Sequence, residues 1–258
     1  MGSDLKQQIT APFHQTGKEW LRIGAFAGAT AILSSIDEPV QRFSIKLHDS
    51  SETVSSVSSY VTRFGGRYEL YTLAAMGAYG FVFHNKKMQT TTLLATQAYL
   101  TSGAMESILK FITGRQRPAY YNPGHPEPEP EFHGPFSKAG ADINGNKINS
   151  SFPSGHTTVV FAAATVYAME YKNIPWVPFV SYGAASLVGL SRIIENKHWT
   201  TDVVVGSTLG YLCGRQVVNN YHRYAKVKSQ SKNKGTVSFN IGYMNGQFVP
   251  DIVYTFRK

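Results

Sequence analysis

Between residues 15 and 220 of this 258-residue chain, the stretches 23–35, 70–83, 88–105, 157–169, 174–190 and 203–213 contain no Asp, Glu, Lys or Arg. At 11 to 18 residues they are too long for ordinary strands and suit helices that bury a face against one another. Trp20, Ile23, Ala27 and Ala31 recur at helical spacing. The chain reads as helical from about residue 15 to 220, with helices over 68–84, 89–114, 157–171, 177–194 and 201–220. A turn cluster occupies 34–39, and the serine-rich stretch 49–59 reads as a loop leading into a short helix. One long irregular segment, 118–153, includes a Pro-Glu repeat over 123–131; loops of this length are usually functional lids or linkers. Beyond it the character changes. Residues 226–234 are basic and polar, and 236–243 and 248–256 alternate like strands around Asn245-Gly246, a hairpin signal. The expected fold is all-α: a compact helical bundle over residues 1–225, followed by a basic linker and a C-terminal β-hairpin over 226–258.

A membrane-spanning helix needs about 20 mostly apolar residues. Most of the uncharged runs are shorter, and the third carries Gln89, Thr90, Thr91, Thr92, Thr96, Gln97, Thr101 and Ser102. Mean hydropathy is −0.20. These features predict a soluble or peripheral bundle, with Lys226, Lys228, Lys232 and Lys234 as a strip for peripheral contact with an anionic membrane. The alternative is an integral membrane enzyme with polar helices, which rests on the apolar run 174–190. No secretory leader is legible in the polar start, Asp4-Leu5-Lys6-Gln7-Gln8. The single cysteine, Cys213, sits in an apolar run and allows no internal disulfide.

A formal net charge of +9 points to partners that carry phosphate. The cations are not gathered with aromatics in one stretch, so no nucleic-acid partner is expected. Three clusters concentrate the chemistry. In the first, Lys110, Arg115 and Arg117-Pro118 end an apolar helix; Lys110 and Arg117 lie seven apart and share a face if the helix continues that far. An Arg fork holds two phosphate oxygens, and a Lys adds a point charge. In the second, Ser151-Phe152-Pro153-Ser154-Gly155-His156 leads directly into a helix. Ser154 is placed to cap it, and its first amides suit an anion. In the third, Ser191-Arg192 precedes His198 and Asp202, four apart and on one face of a helix. A carboxylate that accepts a proton from one imidazole nitrogen leaves the other free as a nucleophile. Each cluster alone also has an ordinary reading: cations complementing a helix dipole, a plain helix start, and a surface i,i+4 pair.

Taken together, the three clusters resemble the signature of the type 2 phosphatidic acid phosphatase superfamily, which includes bacterial non-specific acid phosphatases and vanadium haloperoxidases. That signature is Lys, six residues, Arg-Pro; then Pro-Ser-Gly-His; then Ser-Arg, five residues, His, three residues, Asp. The resemblance covers about 109–214. It implies a compact bundle of the acid phosphatase/vanadium-dependent haloperoxidase type, with the site at one end of its central helices. It implies that His198 attacks phosphorus and is phosphorylated, that Asp202 orients it, and that His156 protonates the leaving oxygen. Lys110, Arg117 and Arg192 would hold the phosphate oxygens, helped by the Ser154 hydroxyl and the Gly155 amide. No metal and no other cofactor is implied.

The implied substrate is a phosphorylated lipid or small molecule, mono- or diphosphate. Gly114-Arg115 resembles the lipid-phosphate and Bacteroidetes-type envelope members, whereas composition favours soluble phosphomonoesters. The expected location is the periplasm or cell envelope. Two other readings share the cradle: a vanadate-binding haloperoxidase and a non-catalytic phosphate-binding envelope protein. Residues 119–151 join two of the clusters and are the candidate for substrate selection. His14, His48, His84, His125, His133 and His222 match no motif and read as structural or exposed.

Overall fold

The computed structural model describes residues 2–119, 129–137, 140–142, 144–145, 147–232, 236–244 and 247–255. Among these, nine α-helices run in order: α1 (Gly2–Thr10), α2 (Gly17–Leu33), α3 (Asp37–Ser50), α4 (Glu52–Thr62), α5 (Arg67–Val82), α6 (Lys86–Thr113), α7 (Gly155–Glu170), α8 (Trp176–Ile194) and α9 (Thr200–Lys232). Strands β1 (Thr236–Met244) and β2 (Gln247–Thr255) follow. Contacts divide the chain into 1–218 and 219–258, and α9 runs on as helix through Lys232 where the sequence suggested a linker from 226. In the second unit β1 pairs antiparallel with β2, Thr236 opposite Thr255 and Met244 opposite Gln247. The Asn245-Gly246 turn lies outside the described residues, as does most of the Pro-Glu repeat.

Two helices lie where sequence suggested otherwise. The serine-rich 49–59 segment is helical, broken only at Ser51, which is extended and accepts a hydrogen bond from Val54 N to start α4. Pro39 is tolerated because it falls in the first turn of α3, where an N–H has no intrahelical acceptor. The polar start forms α1, whose Asp4 bonds Gln97 and whose Gln8 donates to Thr101 Oγ1 at 3.2 Å.

Helix α7 is the axis of the first unit: twelve of its sixteen residues are buried, and α6 and α8 pack against it. Glycines on α9 set its approach. A Cβ at Gly206 would lie 2.8 Å from Ser154 O, one at Gly214 would lie 2.5 Å from Ala162 O, and one at Gly210 would clash harder still with Thr158 O. Three glycines at four-residue spacing therefore bring the α9 and α7 backbones together, as small residues do between apolar helices.

The outer surface favours the integral alternative over the expected soluble or peripheral bundle. Helix α2 buries none of its residues, and Leu21, Ile32, Phe81, Phe179 and Leu187 are among many large apolar side chains that face outward. Patches of that kind do not suit water. The polar residues of α6 point the other way: Thr91, Thr92, Thr101 and Ser102 are buried, whereas Leu93 is 71% exposed. Several hydroxyls also bond back to carbonyls of their own helix, Thr91 to Lys87 O at 2.9 Å and Thr96 to Thr92 O at 2.9 Å. A Thr or Ser that satisfies itself this way needs no water. Most of the polar residues that argued against a lipid environment are thus hidden or bonded within the protein. Among the described residues α8 alone is long and apolar enough to cross a membrane by length and composition, and only 28% of that window is buried.

Candidate active site

Helix α6 ends at Gly114, whose φ of 52° is left-handed and whose bare Cα admits Gly134 O and Ser137. The chain then turns back, so Arg117 reaches the site from an extended segment rather than from the face of α6 that carries Lys110. Its Nη1 donates to Lys197 O at 3.1 Å, and its Nη2 to Ser150 O at 3.0 Å. Arg192, near the end of α8, donates from Nη1 to Thr62 Oγ1 at 2.6 Å, and its Nε is buried with no hydrogen-bond partner among the described residues. Lys110 pairs with Glu106 at 2.9 Å, one turn back on α6.

These three cations line one cavity of about 520 Å³, together with Gly155, His156 and His198. Lys147 and Lys197 add positive charge to its wall. Tyr99, Gly103, Glu106 and Lys110 fall on one face of α6, so the cavity extends along that helix away from the cations. The amino end of α7 opens into it, a position that favours an anion. A Cβ at Gly155 would lie 2.8 Å from Glu106 Oε1, so the bare Cα lets that helix start sit against the Lys110–Glu106 pair without moving either side chain. His156 packs on Gly65, where a Cβ would come within 2.7 Å of its own Cβ.

His198 lies in the turn between α8 and α9, not on a helix. Its Nδ1 is 2.8 Å from Ser151 O and 3.5 Å from Asp202 Oδ2. A carbonyl only accepts, so Nδ1 carries the proton and Nε2 carries the lone pair. Burial, then the charges of Arg117, Arg192 and Lys110, hold this imidazole well below the usual histidine range. It is therefore neutral at pH 7. Burial likewise lowers Arg117 from the usual guanidinium value.

Asp202 is fully buried in the first turn of α9. It accepts from Trp199 N at 2.9 Å, from Ser151 Oγ and from Arg115 Nη1 at 2.6 Å. The closest acceptor for His198 is thus the Ser151 carbonyl, with Asp202 behind it. Ser154 occupies the N-cap of α7 but makes no side-chain cap bond. Its hydroxyl is buried and accepts from Thr157 Oγ1 at 2.9 Å, which leaves its own proton to donate.

All eight residues singled out in the sequence converge here, six on the cavity wall and Ser154 and Asp202 behind it. Arg115, the remaining cation of the first cluster, is not on the wall. It is buried between Asp37 and Asp202 and lies 4.9 Å from the Phe132 ring. The sequence did not indicate Asp37, Thr201 or Glu106. Only Glu106 left a signal, its i,i+4 spacing to Lys110.

Cations, a helix start and a neutral imidazole thus surround one cavity in a helical protein. Residues 91–226 match the PAP2 superfamily, and the chain belongs to that family. It is 46% identical over 66 residues to a lipid A 1-phosphatase of Porphyromonas gingivalis, covering 25% of this chain and 15% of that protein. It is 32% identical over 151 residues to lipid phosphate phosphatase 1 of Arabidopsis thaliana, covering 48% of this chain and 44% of that protein. The chain thus spans less than half the length of these relatives. Among solved structures it resembles the transmembrane PAP2-type phosphatidylglycerolphosphate phosphatase of Bacillus subtilis, with a TM-score of 0.57 and 22% identity over 79% of this chain and 93% of that one.

Proposed function

We propose that this chain is a membrane-integral phosphatase that releases phosphate from lipid phosphates through a phosphohistidine on His198. One observation carries the reading: a neutral imidazole whose Nε2 bears the lone pair sits on a cavity with Lys110, Arg117 and Arg192. Fixed cations offset the repulsion between a nucleophile and an anionic phosphate, and they stabilise charge in the transition state. The buried Nε of Arg192 has an unused donor for such an oxygen.

In the proposed reaction, Lys110, Arg117 and Arg192 hold the phosphate oxygens with the Gly155 amide and the Ser154 hydroxyl. His198 Nε2 attacks phosphorus as the bond to the leaving oxygen breaks. His156, favoured as a cation by the bound phosphate, gives that oxygen its proton. Water then attacks the phosphohistidine, its proton passes to His156, and the P–N bond breaks. Nδ1 keeps its proton throughout and donates it to Ser151 O with Asp202 behind, so the transient imidazolium is matched by a carboxylate.

The lipid substrate and the membrane rest on the outward apolar surface of α2, α5 and α8 and on the lipid-phosphate relatives. The test is phosphate release from detergent-dispersed lipid phosphates and from soluble phosphomonoesters. Lipid phosphates are expected to be turned over faster, with activity surviving excess EDTA and falling with vanadate, which adopts the five-coordinate geometry of the transition state. Activity lost in EDTA and restored by magnesium would sink the mechanism, and exclusive turnover of soluble esters would sink the substrate class.

The membrane reading makes its own prediction. In a cell-envelope membrane the protein is expected to resist high salt and carbonate and to leave only with detergent. A peripheral protein held by lysines would leave with salt, as screening requires. Release by salt would therefore restore the peripheral reading.

A further inference from the structure

We propose that Asp37, at the start of α3, is a positioning residue for His198: by taking up the charge of Arg115 it keeps Asp202 electrostatically available to the imidazole. The inference rests on reading His198 as the nucleophile.

Two carboxyl groups and one guanidinium form a line behind the cavity. Asp37 Oδ2 accepts from Arg115 Nη2 at 2.7 Å, and Arg115 Nη1 donates to Asp202 Oδ1 at 2.6 Å. The other oxygen of Asp202 faces His198 Nδ1 at 3.5 Å. Arg115 is 2% exposed and both carboxylates are fully buried, so water screens these charges little. Two carboxylates share one guanidinium, and the triad keeps one formal negative charge. That charge is what the imidazole meets when phosphorylation makes it cationic. Without the charge of Asp37, Arg115 would cancel Asp202 alone, and the triad would be neutral. The new cation would then have no net negative charge behind it, while Lys110, Arg117 and Arg192 stay in front.

Asp37 also contacts Thr201, whose hydroxyl accepts from Arg115 Nη1 at 2.6 Å and so bridges the two. Its Oδ1 accepts from Thr201 N at 2.9 Å, and its Oδ2 accepts from Thr201 Oγ1 at 2.6 Å. This satisfies an amide in the first turn of α9, the turn that carries Asp202. The two roles are separable because Asn is nearly isosteric with Asp and still offers an acceptor to Thr201 N.

The experiment measures turnover per vanadate-binding site, so that unfolded protein is not counted. Asp37→Asn is expected to lower kcat by about tenfold to a hundredfold, the scale of lost carboxylate support behind a functional histidine, with KM within about twofold because the phosphate ligands are untouched. Thr201→Ala, which removes the hydroxyl between Asp37 and Arg115 but leaves every charge of the triad in place, is expected to lose far less. In Asp37→Asn/Arg115→Gln the triad again carries one negative charge, and its kcat is expected to rise above that of the single variant. Undiminished kcat per site in Asp37→Asn would overturn the inference, as would an equal loss in Thr201→Ala. Should the single variant not fold, a folded double variant slowed by more than about a hundredfold would overturn it too. His198→Ala run alongside separates the two readings: if it turns over normally the nucleophile is misassigned, whatever Asp37 does.

Discussion

His198→Ala is expected to abolish turnover, by on the order of 10⁴-fold or more, the scale set by removing a nucleophile that works as one unit with its partners. The variant loses the attacking atom but none of the groups that hold phosphate. Lys110, Arg117 and Arg192 are anchored by Glu106, by Ser150 and Lys197, and by Thr62, none of which touches the imidazole. Vanadate and inorganic phosphate should therefore still bind. The structural cost is modest, because what is stranded is the Ser151 carbonyl that accepted from Nδ1; an unsatisfied buried acceptor costs about 1–3 kcal/mol. Acid-quenched wild-type enzyme should carry phosphate on histidine, and the variant none. Phosphate on serine in either protein would end the assignment.

Gly210→Val is expected to cost the fold itself. The position is a close approach of two backbones, and a Cβ there would meet Thr158 O, Phe161 Cβ and Ala162 N at once. None of these is the free end of a flexible side chain, so relief would require α9 to move off α7. That shift would carry Asp202 and the turn holding His198 away from Ser151 and Ser154. The variant should lose its monodisperse peak in detergent and its vanadate binding together, with Gly210→Ala between it and wild type. Gly183→Ala on α8 is the control, because a Cβ there meets nothing within 4 Å. A monodisperse, fully active Gly210→Val would show that the spacing of α7 and α9 is not set by glycine.

Much of the site was legible because its residues are held by short local geometry. Pro153-Ser154-Gly155-His156 opens a helix, and Arg192, His198 and Asp202 bracket one turn, so their spacing alone brings them together. Arg117 shows the limit. Spacing suggested a shared helical face with Lys110, whereas the left-handed Gly114 ends the helix first and the arginine arrives by another path. Asp37 was out of reach, since nothing in an acidic helix start announces a partner such as Arg115 so far along the chain. The spacing of Gly206, Gly210 and Gly214 gains its meaning only from the helix that lies opposite, which the sequence does not name.

The largest misreading came from counting polar residues without asking where they point. Thr91, Thr92, Thr101 and Ser102 looked like an obstacle to lipid contact, yet they face inward while Leu93 and Leu100 face out. Composition averages over the two faces of a helix; burial does not. A strip of Ser and Thr reads as water-loving only if its hydroxyls lack acceptors, and a helix supplies those acceptors itself.

The cations around the cavity come from separately tethered pieces: Lys110 from α6, Arg117 from the segment after it, and Arg192 from α8. Like charges so placed push those pieces apart, and an oxyanion among them reverses the sign of that force. Substrate is then also a temporary clasp across the end of the bundle, and binding and cohesion become two faces of one equilibrium. In the proposed reaction each release of phosphate would restore that repulsion, opposed by the anchors on Glu106, Ser150 and Thr62 until the next anion arrives.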